Sequence, residues 1–570
     1  MTRVPADALI LGPLLRYVDE TSAAIWVETR DTTQVTVRAG GRQWTADTFN
    51  VHGHHYALVQ VDGLEPGTVV DYAVDVAGVE EWPPEGSSFP PSRIATLEPG
   101  RQLRMAFGSC RTSVPHDSKG NRIHGVDAMR AYALHMAENT EEWPDLIVFL
   151  GDQVYADLTS DAMQDFISSR RNLNEEPGEE LKDYEEYCHL YKLAWSDPAN
   201  RWLLSTLPSS MIFDDHDIRD DWNTSLAWRH EMEATSWWGE RIVAGLASYW
   251  VYQHLGNMSP ADRATDEVWQ QILAGQESAA ASDLGDVLDE LAARVDAQPE
   301  SYRWSHARQI GHCRLIVIDS RAARILQDDK RSILDDDEMH WLDEQLHGDV
   351  DHVFIGTSLP YLLSPGLHQL EAWSEAVAAG AWGRRLKGFG EKVRRTIDME
   401  HWAAFQDGFR EVADMVCELA DGKRGVAPAT VTFLSGDVHN SYVCEVDRGL
   451  AVDVQGSSRI LQAVCSPIRN PLPRVVRQAT AIASKSIGSG FANRLARSAK
   501  VPDPPFTWET IEGPWFDNNL ATLETDGPTL RMRWERGVIE DGKPDSPGIE
   551  VVSELVIEPL AMNSRRQANE

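Results

Sequence analysis

Leu146-Ile147-Val148-Phe149-Leu150-Gly151-Asp152-Gln153-Val154-Tyr155 decides the fold of this chain. Leu146 to Leu150 is an unbroken apolar run of the length of a strand buried on both faces, too short for a core helix or a membrane span. Gly151 ends it. A carboxylate and a phenol follow three residues apart, where one turn can bring both round to a single ion.

Four further apolar runs deliver polar residues at their C-terminal ends. They are Leu103 to Phe107 before Gly108-Ser109-Cys110, Met211-Ile212-Phe213 before Asp214-Asp215-His216, Leu315 to Ile318 before Asp319, and Val431 to Leu434 before Ser435-Gly436-Asp437-Val438-His439. In α/β sheets, sites form at the carboxyl ends of the strands. Asp437 and His439, at i and i+2 on an extended backbone, share a face. Asp214, Asp215, Asp217, Asp220 and Asp221 crowd around His216, and carboxylates this dense raise one another's pKa unless water separates them or cations bind them.

Singly, each feature has a plain structural explanation. Gly-Asp is common turn chemistry, a lone Cys after a strand is usually a small buried hydrophobe, and an acidic run can be a solvated helix cap. Jointly they predict two adjoining cation sites. Cys110, Asp152, Tyr155 and His439 form a thiolate, phenolate and imidazole set suited to Fe3+, while Asp152, Asp215 and Asp437 form an oxygen-only set suited to Ca2+, Mn2+ or Mg2+.

Outward from these strands, the first hundred residues read as short strands: Ala24 to Thr29, Val35 to Ala39, Tyr56 to Val61 and Val69 to Val76. With Gly63-Leu64-Glu65-Pro66-Gly67-Thr68 ahead of Asp71-Tyr72, they predict a small fibronectin-III-like β-sandwich over residues 1–98. The Pro-rich stretch Glu81 to Pro91 suits its last loops and a boundary. Residues 158–204 and 224–300 read as helical insertions, either a wall over the site or cover for a sheet. Leu530, Met532 and Trp534 alternate with polar residues, and Ile549 to Ile557 offers another strand, so a second sheet or its edge is expected there. The polar tail Met562 to Glu570 reads as frayed.

The chain has 570 residues, 42% of them hydrophobic, and 20 Trp, enough to build a large core with more than one unit. Its 89 acidic against 53 basic residues give a formal charge of −36, which disfavours nucleic-acid polymers and anionic membranes as partners. Met1 to Glu20 has no basic leader or clear cleavage site, and the six cysteines have neither CxxC spacing nor a compact framework. A soluble cytoplasmic protein with reduced thiols is expected.

In order, Cys110, Gly151-Asp152-Gln153-Val154-Tyr155, Asp214-Asp215-His216 and Gly436-Asp437-Val438-His439 resemble the motifs of the metallophosphoesterase (calcineurin-like) superfamily, and within it the PhoD-type alkaline phosphatases. Val317-Ile318-Asp319-Ser320-Arg321, Ile333-Leu334, Trp341-Leu342 and Leu346 are also similar to that family, and the resemblance spans about residues 10–450. Cys110 stands where the wider superfamily has Asp-x-His, and its later histidine is missing from Phe354-Ile355-Gly356-Thr357-Ser358-Leu359-Pro360. The resemblance implies an α/β fold, a four-layer sandwich of two mixed sheets flanked by helices over residues 101–560, and iron with calcium as the metal pair.

The expected activity is hydrolysis of small phosphate esters, mono- or diesters, by direct attack of a metal-bound hydroxide at the two-metal site. His216 is the candidate catalytic proton donor. Arg111 is the candidate phosphate contact, with a salt-bridged structural role as its alternative. Two competing classes remain: a binding or scaffold protein with a vestigial metal site, and a hydrolase using Cys110 as nucleophile with His216. Oligomeric state is left open.

Overall fold

The computed structural model describes residues 8–140, 143–277, 283–327, 330–449, 457–473, 477, 489–539 and 542–560. The tail from Met562 lies outside them.

Two mixed sheets form the centre. One has six strands in the order Ser209–Ile212, Leu146–Leu150, Arg104–Gly108, Asn519–Asp526, Thr529–Val538, Gly548–Ile557. Its first three strands are parallel and the rest antiparallel. The other has seven, in the order His306–Ile310, Cys313–Ile318, His352–Thr357, Thr430–Ser435, Arg459–Val464, Ser441–Asp447, Thr507–Trp515. Its middle four strands are parallel.

The period-2 alternation of a strand shows how the layers stack. Leu315, Val317, Phe354 and Leu434 share one core with Phe107 and Val148 of the first sheet. Their neighbours Ile316, Ile318, Val353, Ile355, Val431 and Phe433 face a second core roofed by the helices Asp336–Gln345 and Gln406–Ala420, through Met339, Leu342, Phe409, Val412 and Val416. On the far side of the first sheet, the helices Ala128–Glu138, Tyr184–Trp195 and Pro198–Thr206 add Met129, Tyr132, Tyr191, Trp195 and Trp202. This is the four-layer arrangement expected.

Parallel register brings the strand ends level. Gly108 pairs with Phe149 and Leu150 with Ile212 in the first sheet. Gly356 pairs with Leu434 and Ile318 with Thr357 in the second. The residues that follow each strand therefore emerge at one shared edge of the two sheets.

The N-terminal antiparallel β region packs Leu9–Val18, Ser22–Thr29, His54–Asp62 and Phe49–Val51 against a second sheet built on Gln34–Ala39 and Val69–Val76. Ile25, Val27, Val35, Val37, Val59 and Val74 fill the space between them. Ser22–Thr29 is buried on both faces, and Trp26 turns outward to meet Tyr252 with ring centroids 5.2 Å apart. The region thus shares a core with the helices, and Tyr252 donates to the buried Glu28 at 3.0 Å.

The stretches expected to be helical hold helices at Asp161–Arg170, Tyr184–Trp195, Leu226–Glu233, Trp238–Tyr249, Glu267–Glu277 and Gly285–Ala297, with a π turn over Trp250–His254. Tyr191 stacks on Tyr252 at 4.3 Å, so the two insertions pack on each other. The late strands, expected as a second sheet or its edge, form the edge of the six-stranded sheet, joined to its parallel strands where Asn519–Asp526 pairs with Arg104–Gly108. Among the described residues, no helix is long and apolar enough to cross a membrane.

The close approach of the two sheets makes Gly436 obligatory. A Cβ there would lie 1.9 Å from Ser109 Oγ and 3.1 Å from Leu150 O. Gly436→Ala is expected to destabilise the protein by about 1–3 kcal/mol, the usual cost of overpacking. Urea unfolding with an unchanged midpoint would contradict this.

Candidate metal centre

Immediately past the strand ends the backbone is forced into the left-handed region, with φ of 57° at Cys110, 48° at Asp152, 64° at Asp437 and 49° at His439. Non-glycine residues held there cost about 1–3 kcal/mol each and persist only where the surroundings fix them. Here hydrogen bonds do so. One oxygen of buried Asp217 accepts from the amides of both Asp152 (2.9 Å) and Asp214 (2.8 Å), tying two tips together. Ser109 Oγ accepts from Asp437 N at 3.3 Å, and Ser466 Oγ accepts from His439 N and donates to Cys110 Sγ, both at 3.2 Å.

The turns converge on overlapping groups of ligand-type atoms, each lying within 4.8 Å of one another: Cys110, Asp152 and His439; Asp152, Asp215 and His216; Asp214, Asp215 and Asp437. Tyr155 Oη is 3.3 Å from Asp152 Oδ2. All six residues expected as ligands thus meet at one place, with Asp152 common to the first two groups and Asp437 grouped with Asp214 and Asp215. Asp152 Oδ1 and Asp214 Oδ2 are buried without a hydrogen-bond partner, and Asp215 Oδ1 has only the Arg321 guanidinium, 3.2 Å away. Leaving a buried acceptor unpaired costs about 1–3 kcal/mol, more for a charged group. Unpaired carboxylate oxygens beside a thiol, a phenol and an imidazole fit a pair of cations.

Burial, with Cys110 nearby, pushes the Asp152 carboxyl well above its usual range. Asp215 is also pushed well up by burial, against the opposing pull of Arg321. Burial raises the Cys110 thiol to about 12 and lowers His439 to about 4, which leaves that imidazole neutral and able to ligate. His216 is raised well above its usual value because the charges of Asp157 and Asp215 outweigh burial. Its Nδ1 lies 2.9 Å from both Asp157 oxygens.

Arg111 is not at the phosphate position expected of it. Its guanidinium, 2% exposed, bonds Asp127 Oδ2 through Nε at 3.0 Å and Nη2 at 2.7 Å, while Nη1 donates to Ala194 O at 2.7 Å. Only its main chain touches the site, through Arg111 N to Asp152 O at 3.0 Å. Arg321 occupies the centre instead. Fully buried, it pairs with Asp214, with Glu400 at 2.5 Å and with Asp215 at 3.2 Å, and it lies 3.8 Å from Asp437.

Asp157, Asp214, Asp217, Arg321, Glu400 and His401 were not singled out as site residues from the sequence. Asp214 and Asp217 lay within the acidic run, and Asp157 two residues past Tyr155. Glu400 and His401 follow no strand, so no signal of the kind used marks them. A cavity of about 400 Å³ opens onto the cluster, floored by Asp215, His216, Asp437 and His439 and walled by Leu367 and Leu472.

Residues 106–497 match the family model described as PhoD-like phosphatase, and residues 6–94 match a domain of unknown function, DUF7800. No curated protein matches the chain. The solved structure titled "Structure of PhoD" is similar at 13% identity and a TM-score of 0.57, covering 100% of this chain and 95% of that one, a likeness of fold. The purple acid phosphatase PPD1 from yellow lupin (Lupinus luteus) seeds gives 10% identity and a TM-score of 0.48, covering 96% and 74%, too slight to carry weight.

Because burial favours the protonated forms of Asp152, Asp215 and Cys110 and a cation favours the deprotonated ones, cation binding is expected to strengthen as pH rises and to release protons. Calorimetric titration of Mn2+ into chelator-treated protein, in two buffers of different ionisation enthalpy, measures the release. Binding without proton release would contradict the assignment.

Proposed function

The chain belongs to the PhoD-like phosphatase family, and on that premise we propose that it hydrolyses small phosphate mono- or diesters at a two-cation site held by Cys110, Asp152, Tyr155, Asp215, Asp437 and His439. The observation that carries this reading is the convergence of tips from both sheets on a cluster in which the buried Asp152 Oδ1 and Asp214 Oδ2 meet no protein donor. Fe3+ suits the Cys110, Asp152, Tyr155 and His439 half, and Ca2+ suits the Asp152, Asp215 and Asp437 half, with Mn2+ or Mg2+ as substitutes. When bound, such a pair activates water and neutralises charge on the phosphoryl oxygens.

The residues of the chain orient and donate. Asp157 fixes the His216 ring through Nδ1, which leaves Nε2 to donate a proton to a phosphoryl oxygen or to the leaving group. Asp152, between the two halves, sets their spacing. Water is the nucleophile on this reading. Cys110 is fully buried with its thiol raised to about 12, which suits a ligand whose proton is displaced by a cation better than a free nucleophile.

The proposal also assigns residues 1–98 to a fibronectin-III-like module and 101–560 to the catalytic unit, with walls at about 158–204 and 224–300. A cytoplasmic setting is in keeping with six free thiols. The charge of −36 keeps polyanions from the substrate list.

Release of p-nitrophenol from mono- and diester substrates, with and without chelator, tests the reading. Asp152→Asn and Asp437→Asn are expected to abolish hydrolysis with the circular dichroism spectrum unchanged. His216→Ala should lower kcat by about 100-fold or more, in the range of general-acid effects, while bound metal stays near the wild-type amount. Activity that survives chelation but is lost on cysteine alkylation would replace this account with a Cys110 nucleophile. A thiolate and phenolate on Fe3+ also predict a coloured enzyme, and a colourless active one would remove iron.

A further inference from the structure

Asp437 is held from a second direction, by residues that lie on no strand tip. His401 is 7% exposed and places Nε2 3.0 Å from Asp437 Oδ2 and Nδ1 2.8 Å from Glu371 Oε1. Glu371, 4% exposed, comes from the helix Pro365–Ala379, and its other oxygen has no hydrogen-bond partner. An ionised carboxylate only accepts, so a ring between two of them donates from both nitrogens and ties that helix to the strand tip.

The flanking residues leave the ring little freedom. On one side, Glu400 is bound through its side chain to Arg321 and through its carbonyl to Arg324 Nη2 at 3.1 Å. On the other, the fully buried Trp402 donates to Thr357 Oγ1 at 3.2 Å and packs edge-on to Tyr361. With Oδ2 engaged by His401, Asp437 has Oδ1 left to offer on the side facing Arg321 and Asp215.

We propose that Glu371 and His401 form a positioning pair that makes Asp437 a one-oxygen ligand of the cation it shares with Asp152 and Asp215, an inference that rests on the two-cation reading above. Neither residue touches the reacting phosphate in this role. They act through Asp437, by fixing its rotamer and by stopping it from gripping the ion with both oxygens. Partners that orient a ligand in this way typically account for about 10–100-fold in metal affinity.

The test uses full-length protein stripped with chelator and titrated with Mn2+ alone, with free Mn2+ read by electron paramagnetic resonance. His401→Ala is expected to raise the Kd at the Asp215 and Asp437 half by about 10–100-fold, leaving the visible band of iron-loaded protein where it is in the wild type. His401→Gln, which keeps an N–H toward Asp437, should recover part of the loss. Glu371→Gln, which keeps an acceptor for Nδ1, should show a smaller loss and serves as the probe if His401→Ala does not fold. Wild-type Mn2+ affinity in folded His401→Ala, or equal loss in the Ala and Gln variants together with a shifted iron band, would overturn the proposal. Failure of the wild-type protein itself to bind Mn2+ would overturn the two-cation reading and this inference with it, so the two failures are distinguishable.

Discussion

The crowding of carboxyl groups out of water at one edge of two sheets is the constraint on which the rest of the structure depends. Asp152, Asp214, Asp215 and Glu400 are buried there beside the half-buried Asp437, with Arg321 inserted among four of the five. Removing a carboxylate from water costs several kcal/mol unless an opposite charge or full hydrogen bonding replaces the lost hydration. Arg321 is helped by Arg324 at Glu400 and by His401 at Asp437, and the oxygens of Asp152 and Asp214 that find no donor mark where the balance is missing. A pair of multivalent cations would supply it. The same crowding that makes the edge unfavourable when bare would favour cations there.

Holding such a cluster together is a matter of packing. Parallel register levels the strand ends, and alternating apolar residues lock each strand between two cores, so the turns cannot relax away from one another. Four of the proposed ligands then sit in strained left-handed conformations, fixed by Asp217, Ser109 and Ser466. The near-contact of Gly436 with Ser109 shows how little space separates the sheets at this edge. On the proposed reading this rigidity has a chemical purpose, because catalytic groups displaced by about 1 Å lose much of their effect.

Much of the fold and of the candidate site was legible because both follow from short-range pattern. Leu146 to Leu150 and Val431 to Leu434 announce buried strands by largely apolar runs closed by Gly151 and by Ser435-Gly436, and the polar residues after them fall at one edge through the parallel topology alone. Long-range pairing is not encoded in that way. The partner of Arg104–Gly108 is Asn519–Asp526, and nothing local to either segment shows it. The role of Arg111 is set by Asp127, a helix N-cap that also binds the amides of Met129 and Arg130. Arg321 was visible only as part of a motif, and His401 and Glu371 reach Asp437 from a loop and a helix, where no periodicity marks a site.

The central claim is that the convergent tips hold two cations. Anomalous diffraction from crystals of the enzyme, recorded at the iron edge and, after Mn2+ exchange, at the manganese edge, tests it most directly. The account predicts two peaks about 4 Å apart, one bonded to Cys110 and His439, the other to Asp215 and Asp437, with Asp152 between them. A catalytically active crystal with no metal peak at the cluster, and with Arg321 still seated among the carboxylates, would contradict it.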